Sequence, residues 1–225
     1  MIHTLTRLLA AVALTASTIT ASLLAAPAAS ADGPGGCPDT FAFGVGGFQI
    51  DLETFPPNLG QPSLYIPSDQ PVGYNSISIN DGVRELNRLF WEYRGRCPGS
   101  HIKILGHSGG AAVVHVWVSQ HKDVPNATAI LVSDPKRAAG PGGDGLAGNP
   151  LAGPAELIGI FAGAAGTDAD FGDFPVLTVC NAGDWVCNED AGPHGYLHTG
   201  VHGNYDLNPW SYANYARGVW YREIY

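Results

Sequence analysis

The stretch His101-Ile-Lys-Ile-Leu-Gly-His-Ser-Gly-Gly-Ala-Ala-Val-Val-His-Val-Trp-Val118 decides the fold. Its first five residues are rich in branched apolar side chains and read as a strand, whereas the run from Ala111 onward reads as a helix. Between them, Gly106-His-Ser-Gly-Gly110 places a serine at a sharp bend. Backbone crowds such a bend two residues before and two after the serine, so both places need residues without bulk. Gly106 and Gly110 meet that need. In a chain with 30 glycines the pattern G-x-S-x-G arises readily by chance, so the strand-to-helix context carries the weight. The layout is that of a nucleophile elbow, with Ser108 lifted to the top of a sheet.

Outward from this stretch, strand character recurs at Thr40-Phe-Ala-Phe-Gly-Val45, at 127–132 and at 175–179. A short strand is expected at Leu64-Tyr-Ile66. Ile79, Val83, Leu86, Phe90 and Tyr93 fall on one helical face, with Ser78 or Ser76 as cap. The aromatic tail Trp210, Tyr212, Tyr215, Trp220, Tyr221 and Tyr225 reads as a closing amphipathic helix. The Gly-rich stretch from Gly140 through Gly166 reads as a surface loop. Strands alternating with helices imply parallel pairing and right-handed crossovers, hence a doubly wound, three-layer α/β sandwich with a mostly parallel central sheet. In such sheets the chemistry sits at the carboxyl ends of the strands. Candidate strand ends at Val45, Ser108, Asp134 and Asn181 then converge on one edge.

Residues 1–31 carry one basic residue, Arg7, then an apolar stretch, then Ala29-Ser-Ala31, which is the pattern of a secretory signal peptide cleaved before Asp32. Thr15, Ser17, Thr18, Thr20 and Ser22 interrupt the apolar stretch, so a permanent membrane span is not expected. Residues 32–225 then form a single exported domain. With 20 acidic against 11 basic residues and a net charge of −9, nucleic-acid binding has no electrostatic support. Four cysteines in an exported chain imply disulfides, with three pairings possible. Cys180 and Cys187 could clip a short loop, leaving Cys37 and Cys97; neither pair has the close spacing of a zinc site.

A serine nucleophile needs a base, usually His, and the base needs a carboxylate to fix its tautomer. Two acids follow a strand after Ser108. Asp134 precedes Pro135 at a strand end, a place where aspartates commonly serve turns. Asp184 sits between the last two cysteines, where a bridge would hold its loop rigid, and is favoured. His194, His198 and His202 lie downstream, and spacing does not choose among them. They occupy a segment too rich in Gly and Pro for a helix to gather them on one face, so no metal site is expected. His107 reads as packing or pocket wall, His115 and His121 as ordinary helix-face residues, and His101 as a surface residue.

Taken together, Cys37-Pro-Asp39, Cys97-Pro98, the elbow, Ser133-Asp-Pro135, the Asp184 framed by Cys180 and Cys187, and His202-x-x-Tyr205 resemble the cutinases, in order and over most of the chain. The segment Val201-His-Gly-Asn-Tyr205 is also similar to the serine-hydrolase domain attached to PE and PPE proteins of mycobacteria. The resemblance implies a cutinase-like α/β hydrolase with Ser108 as nucleophile, Asp184 as acid and His202 as base. It implies disulfides Cys37–Cys97 and Cys180–Cys187. It also implies an oxyanion hole from the Val45 and Gly109 amides, and hydrolysis of carboxylic esters without a cofactor. A secreted monomer acting on an ester or lipid substrate is expected. Two departures stand out. Cutinases commonly carry Gln where this chain has Gly109, and Ser or Thr where it has Val45. Both weaken the expected oxyanion hole and point to a slow or specialised enzyme. Acyl transfer to envelope lipids or glycans, and a binding protein on the same scaffold, are the rival readings.

Overall fold

The computed structural model describes residues 32–33, 36–48, 64–150 and 166–225. The leader read in residues 1–31, and the part of the Gly-rich stretch at 151–165, lie outside the described residues. A two-residue ladder joins β1 (Asp32–Gly33) to β2 (Cys37–Pro38). The main sheet contains β3 (Thr40–Val45), β4 (Gln70–Pro71), β5 (His101–His107), β6 (Ala127–Val132), β7 (Val176–Asn181) and β8 (Gly218–Arg222). Its order is β4-β3-β5-β6-β7-β8, and every neighbouring pair is parallel.

The strand order explains where a site can form. After β3 the chain moves outward to β4, then returns across β3 to β5 and proceeds in the opposite direction. The reversal opens a crevice at the carboxyl ends of β3 and β5, the place where open parallel sheets bind ligands. Val45 and Ser108 stand on its two sides.

β5, β6 and β7 are buried along their whole length, which is why β6 and β7 read as largely apolar runs. Ile102 and Ile104 face one core with α1 (Ile79–Arg96) and α2 (Gly109–Gln120), where Phe90, Trp117 and Phe43 are its largest members. Leu105, Ile130 and Leu177 face the other core, closed by Ile66 and Tyr212. α1 shows the expected apolar stripe, and its cap is Ser78, whose Oγ accepts from the Asp81 N–H. α2 lies between the sheet and α1, so it is apolar nearly all round. The Cys37–Cys97 bridge ties β2, just before β3, to the end of α1.

Four expectations change. Leu64–Ile66 is a turn rather than a strand, with Ile66 inserted in the second core while Leu64 stays exposed. The aromatic tail is not a helix: the 3-10 turn Pro209–Ser211 leads to the edge strand β8. Gly218 and Tyr215, both at positive φ, reverse the backbone where a helix would have continued. Lys103, on β5, explains how that tail is held, because its buried ammonium donates to the carbonyls of Pro209 and Tyr212. His101 is buried between Asn126 and Thr128 rather than on the surface.

His115 is likewise no ordinary helix-face residue. It is fully buried, with Nδ1 2.6 Å from Asp134 and Nε2 3.2 Å from Asp168. Burial alone would lower its pKa, but the two carboxylates outweigh this and raise it. A raised histidine pKa contributes stability that is complete below the unfolded value of about 6.5 and is lost as pH rises through the folded value. The stability deficit of His115→Gln, measured by urea unfolding, should therefore be larger at about pH 6 than at about pH 9. An equal deficit at both would show that folding leaves the His115 pKa unshifted.

Candidate active site

Ser108 joins β5 to α2 at φ 58° and ψ −128°, a conformation that L-residues adopt only when their surroundings impose it. Gly106 and Gly110 provide that imposition. A Cβ on Gly106 would lie 2.5 Å from the Gly110 carbonyl oxygen, and one on Gly110 would lie 1.9 Å from the Val45 oxygen. The bend is further fixed by the Ser108 N–H, which donates to the Val132 carbonyl at 3.0 Å. The side chain of Ser108 is partly exposed at the crevice and has no hydrogen-bond partner among the described residues. Gly109 begins α2, so its N–H lacks a partner within the helix and lies where the helix dipole favours negative charge. In contrast to its two neighbours, a Cβ on Gly109 would meet nothing nearer than 3.6 Å.

Val45 is fully buried at the end of β3, paired with Gly106. Gly44 gives its carbonyl to Val72 on the β4 side, so strand alternation directs the Val45 N–H toward β5, at the Leu105 carbonyl. Beyond it, Gly47 presses against the elbow, and a Cβ there would be 2.7 Å from that of Ser108.

The Cys180–Cys187 bridge closes the loop that follows β7 and carries Asp184, which is fully buried. Both carboxylate oxygens lie 3.1 Å from His202 Nδ1. Tyr205 donates its hydroxyl to Oδ2 at 2.7 Å, and the Val186 N–H donates to Oδ1 at 3.1 Å. Burial alone would push the Asp184 carboxyl up, but the hydrogen bonds and charge of His202, with the hydroxyls of Ser133 and Tyr205, hold it below the usual carboxylate range. An ionised Asp184 accepts only, so His202 Nδ1 carries a proton, and in the neutral ring Nε2 is then the acceptor. That is the tautomer a general base needs.

His202 sits in the 3-10 turn Val201–Gly203, which Asn181 secures by donating its side-chain N–H groups to the carbonyls of Val201 and Asn204. The turn reaches the elbow through His107, whose Nε2 is 3.1 Å from the His202 carbonyl oxygen. His194 and His198 pair with each other, ring centroids 5.1 Å apart, and make no contact with Asp184. Asp134 is engaged with His115 and with the Lys136 N–H. Among the described residues no group of three or more His, Cys, Asp or Glu is placed to hold a metal ion, and no helix is long and apolar enough to cross a membrane.

Sequence reasoning missed Ser133, whose Oγ is 3.0 Å from His202 Nδ1 and which is itself at positive φ, and it missed Tyr65. Tyr205 stood in the His-x-x-Tyr pattern without an assigned part.

The cutinase family model matches residues 64–208, a span that contains the elbow, Asp184 and His202. The chain belongs to the cutinase family. Among solved structures it is similar to a cutinase-like protein from Cryptococcus sp., at 17% identity over 73% of this chain and 84% of that one, with a TM-score of 0.45. It is also similar to a lipase-esterase related protein from Clostridium acetobutylicum, at 11% identity over 83% of this chain and 86% of that one, with a TM-score of 0.40. An esterase from Pyrococcus furiosus gives 11% identity, 83% and 73% coverage and a TM-score of 0.43. No curated protein matches the chain.

The two elbow glycines separate by their surroundings. Gly110→Ala forces a methyl into backbone and should cost about 3 kcal/mol in urea unfolding, whereas Gly109→Ala should stay within about 0.5 kcal/mol of the parent. Equal tolerance at both positions would contradict the close approach of α2 to β3.

Proposed function

We propose that this cutinase-family chain is a secreted serine hydrolase of carboxylic esters, acting through Ser108, His202 and Asp184. The observation that carries the proposal is the pairing of the buried Asp184 with His202, in the base tautomer and tied through His107 to the strained serine. In the first step Ser108 Oγ attacks the ester carbonyl carbon and gives its proton to His202 Nε2. The tetrahedral intermediate collapses, and the imidazolium protonates the departing alcohol, leaving an acyl-serine. Water then attacks the acyl carbon, His202 takes its proton and returns it to Ser108, and the acid is released. Asp184 stays ionised and stabilises the imidazolium.

Oxyanion stabilisation is the weak part of this machinery. The Gly109 N–H supplies one donor at the N-terminus of α2. Val45 stands at the second place, with its N–H directed into the ladder and no hydroxyl on its side chain. Loss of one preorganised donor can cost on the order of a hundredfold in rate, so a low turnover number is expected. Export is part of the same proposal. The leader of residues 1–31 would be removed, and residues 32–225 would form the single active domain. The two disulfides fit an oxidising compartment.

Ser108→Ala should lower hydrolysis of a short-chain chromogenic ester by about a thousandfold or more, with unfolding unchanged. Among His194→Ala, His198→Ala and His202→Ala, His202→Ala alone should match it. Full activity in Ser108→Ala would remove the serine from the mechanism.

A further inference from the structure

We propose that His107 is a positioning residue of this site, one link in a directional relay that runs from the Gly47 amide through Tyr65 and His107 to the backbone of the base. The inference rests on the hydrolase reading above. Its basis is the direction of each hydrogen bond, and every one is forced.

His107 Nε2 faces the carbonyl oxygen of His202 at 3.1 Å. A carbonyl oxygen accepts only, so Nε2 carries the ring proton. His107 is 7% exposed, and burial, reinforced by the neighbouring His202, pushes its pKa down to about 4. The ring is therefore neutral at ordinary pH, and Nδ1 is an acceptor. Its partner is Tyr65 Oη at 3.1 Å, so the phenol donates to it. The Gly47 N–H in turn donates to Tyr65 Oη at 2.9 Å. The full sequence is Gly47 N–H to Tyr65 O–H to His107 Nδ1, then Nε2–H to the His202 carbonyl.

The relay fastens together the three parts that must act in concert. Gly47 lies against Ser108 and the Gly109 nitrogen, on the oxyanion side of the crevice. His107 immediately precedes the nucleophile. His202 is the base, and its turn starts from Gly200 in the left-handed region and ends in Gly203, so it has little stiffness of its own. Asn181 secures the turn at Val201 and Asn204, on either side of the base, whereas His107 is the partner of the His202 carbonyl itself. The two imidazoles also lie face to face, with centroids 4.9 Å apart and planes inclined by 32°. A base displaced by about 1 Å can cost a hundredfold in rate. His107 opposes such a displacement, and Tyr65 gives its Nδ1 a partner.

The test compares His107→Leu, His107→Gln and Tyr65→Phe with the wild-type chain, using kcat and KM on a chromogenic ester together with imidazole 15N shifts and Gly47 amide exchange. His107→Leu should lower kcat about a hundredfold with KM changed less than about threefold. His107→Gln should recover most of the loss, since its amide can donate to the His202 carbonyl and accept from Tyr65. Tyr65→Phe, a change at a partly exposed side chain, should lower kcat about tenfold and speed exchange of the Gly47 amide. In the wild type, 15N shifts should show the His107 proton on Nε2. A folded His107→Leu with unchanged kcat, or no recovery in His107→Gln, would overturn the positioning role, and a proton on Nδ1 would overturn the relay. A wild-type chain without esterase activity would sink the hydrolase reading but not the relay, which the 15N shifts and the Gly47 exchange read independently.

Discussion

The approach of α2 to the end of β3 is the constraint from which the site follows. Gly110 lies so near the Val45 carbonyl that a methyl group cannot be accommodated, and Gly106 is pressed equally against the first turn of the helix. With both flanks closed, the backbone at Ser108 has no relaxed conformation available and takes a positive φ. The same closeness brings the N-terminus of α2, Ser108 and the glycines after β3 to one point. Strain of about 1–3 kcal/mol at such a residue is sustained only because the packing of β3, β5 and α2 over-determines it. The fully buried Phe43, Ile104 and Trp117 supply that packing.

The second half of the site is an electrostatic problem solved by hydrogen bonding. A fully buried carboxylate is costly unless donors surround it. Asp184 has donors from His202, Tyr205 and the Val186 N–H, drawn from two separate parts of the chain. The disulfide across its loop and the Asn181 clamp on the neighbouring turn fix Asp184 and His202 relative to β7. His107, next to Ser108 in the chain, meets the carbonyl of His202. Turn by turn, the site is rigid where charge must be held; its oxyanion side, with Val45 in the ladder and a glycine at position 109, is less well provided.

The legible parts of the sequence were those governed by local periodicity or by covalent framing. The stripe from Ile79 to Tyr93, the elbow between a strand and a helix, and an acid enclosed by two cysteines each follow from residues close in the chain. Misreadings arose where tertiary contacts decided. The aromatic tail carries residues that suit a helix or a strand equally, and burial of Lys103 beneath Tyr212, with backbone reversals at Tyr215 and Gly218, selected a strand. His115 lay in a helix apolar on every side, so nothing local marked it as the partner of Asp134 and Asp168. His107 and Ser133 meet His202, and Tyr65 meets His107, only through the sheet topology, because they come from three different strand ends or loops.

The central claim is that Ser108 is an activated nucleophile whose activation comes from His202. Mass spectrometry of the chain treated with a fluorophosphonate, with peptide mapping of the adduct, tests it most directly. The account predicts a single covalent adduct on Ser108 in the wild type, and labelling slowed by about a hundredfold or more in His202→Ala. An unlabelled Ser108 in the folded wild-type chain, or labelling at the same rate without His202, would contradict it.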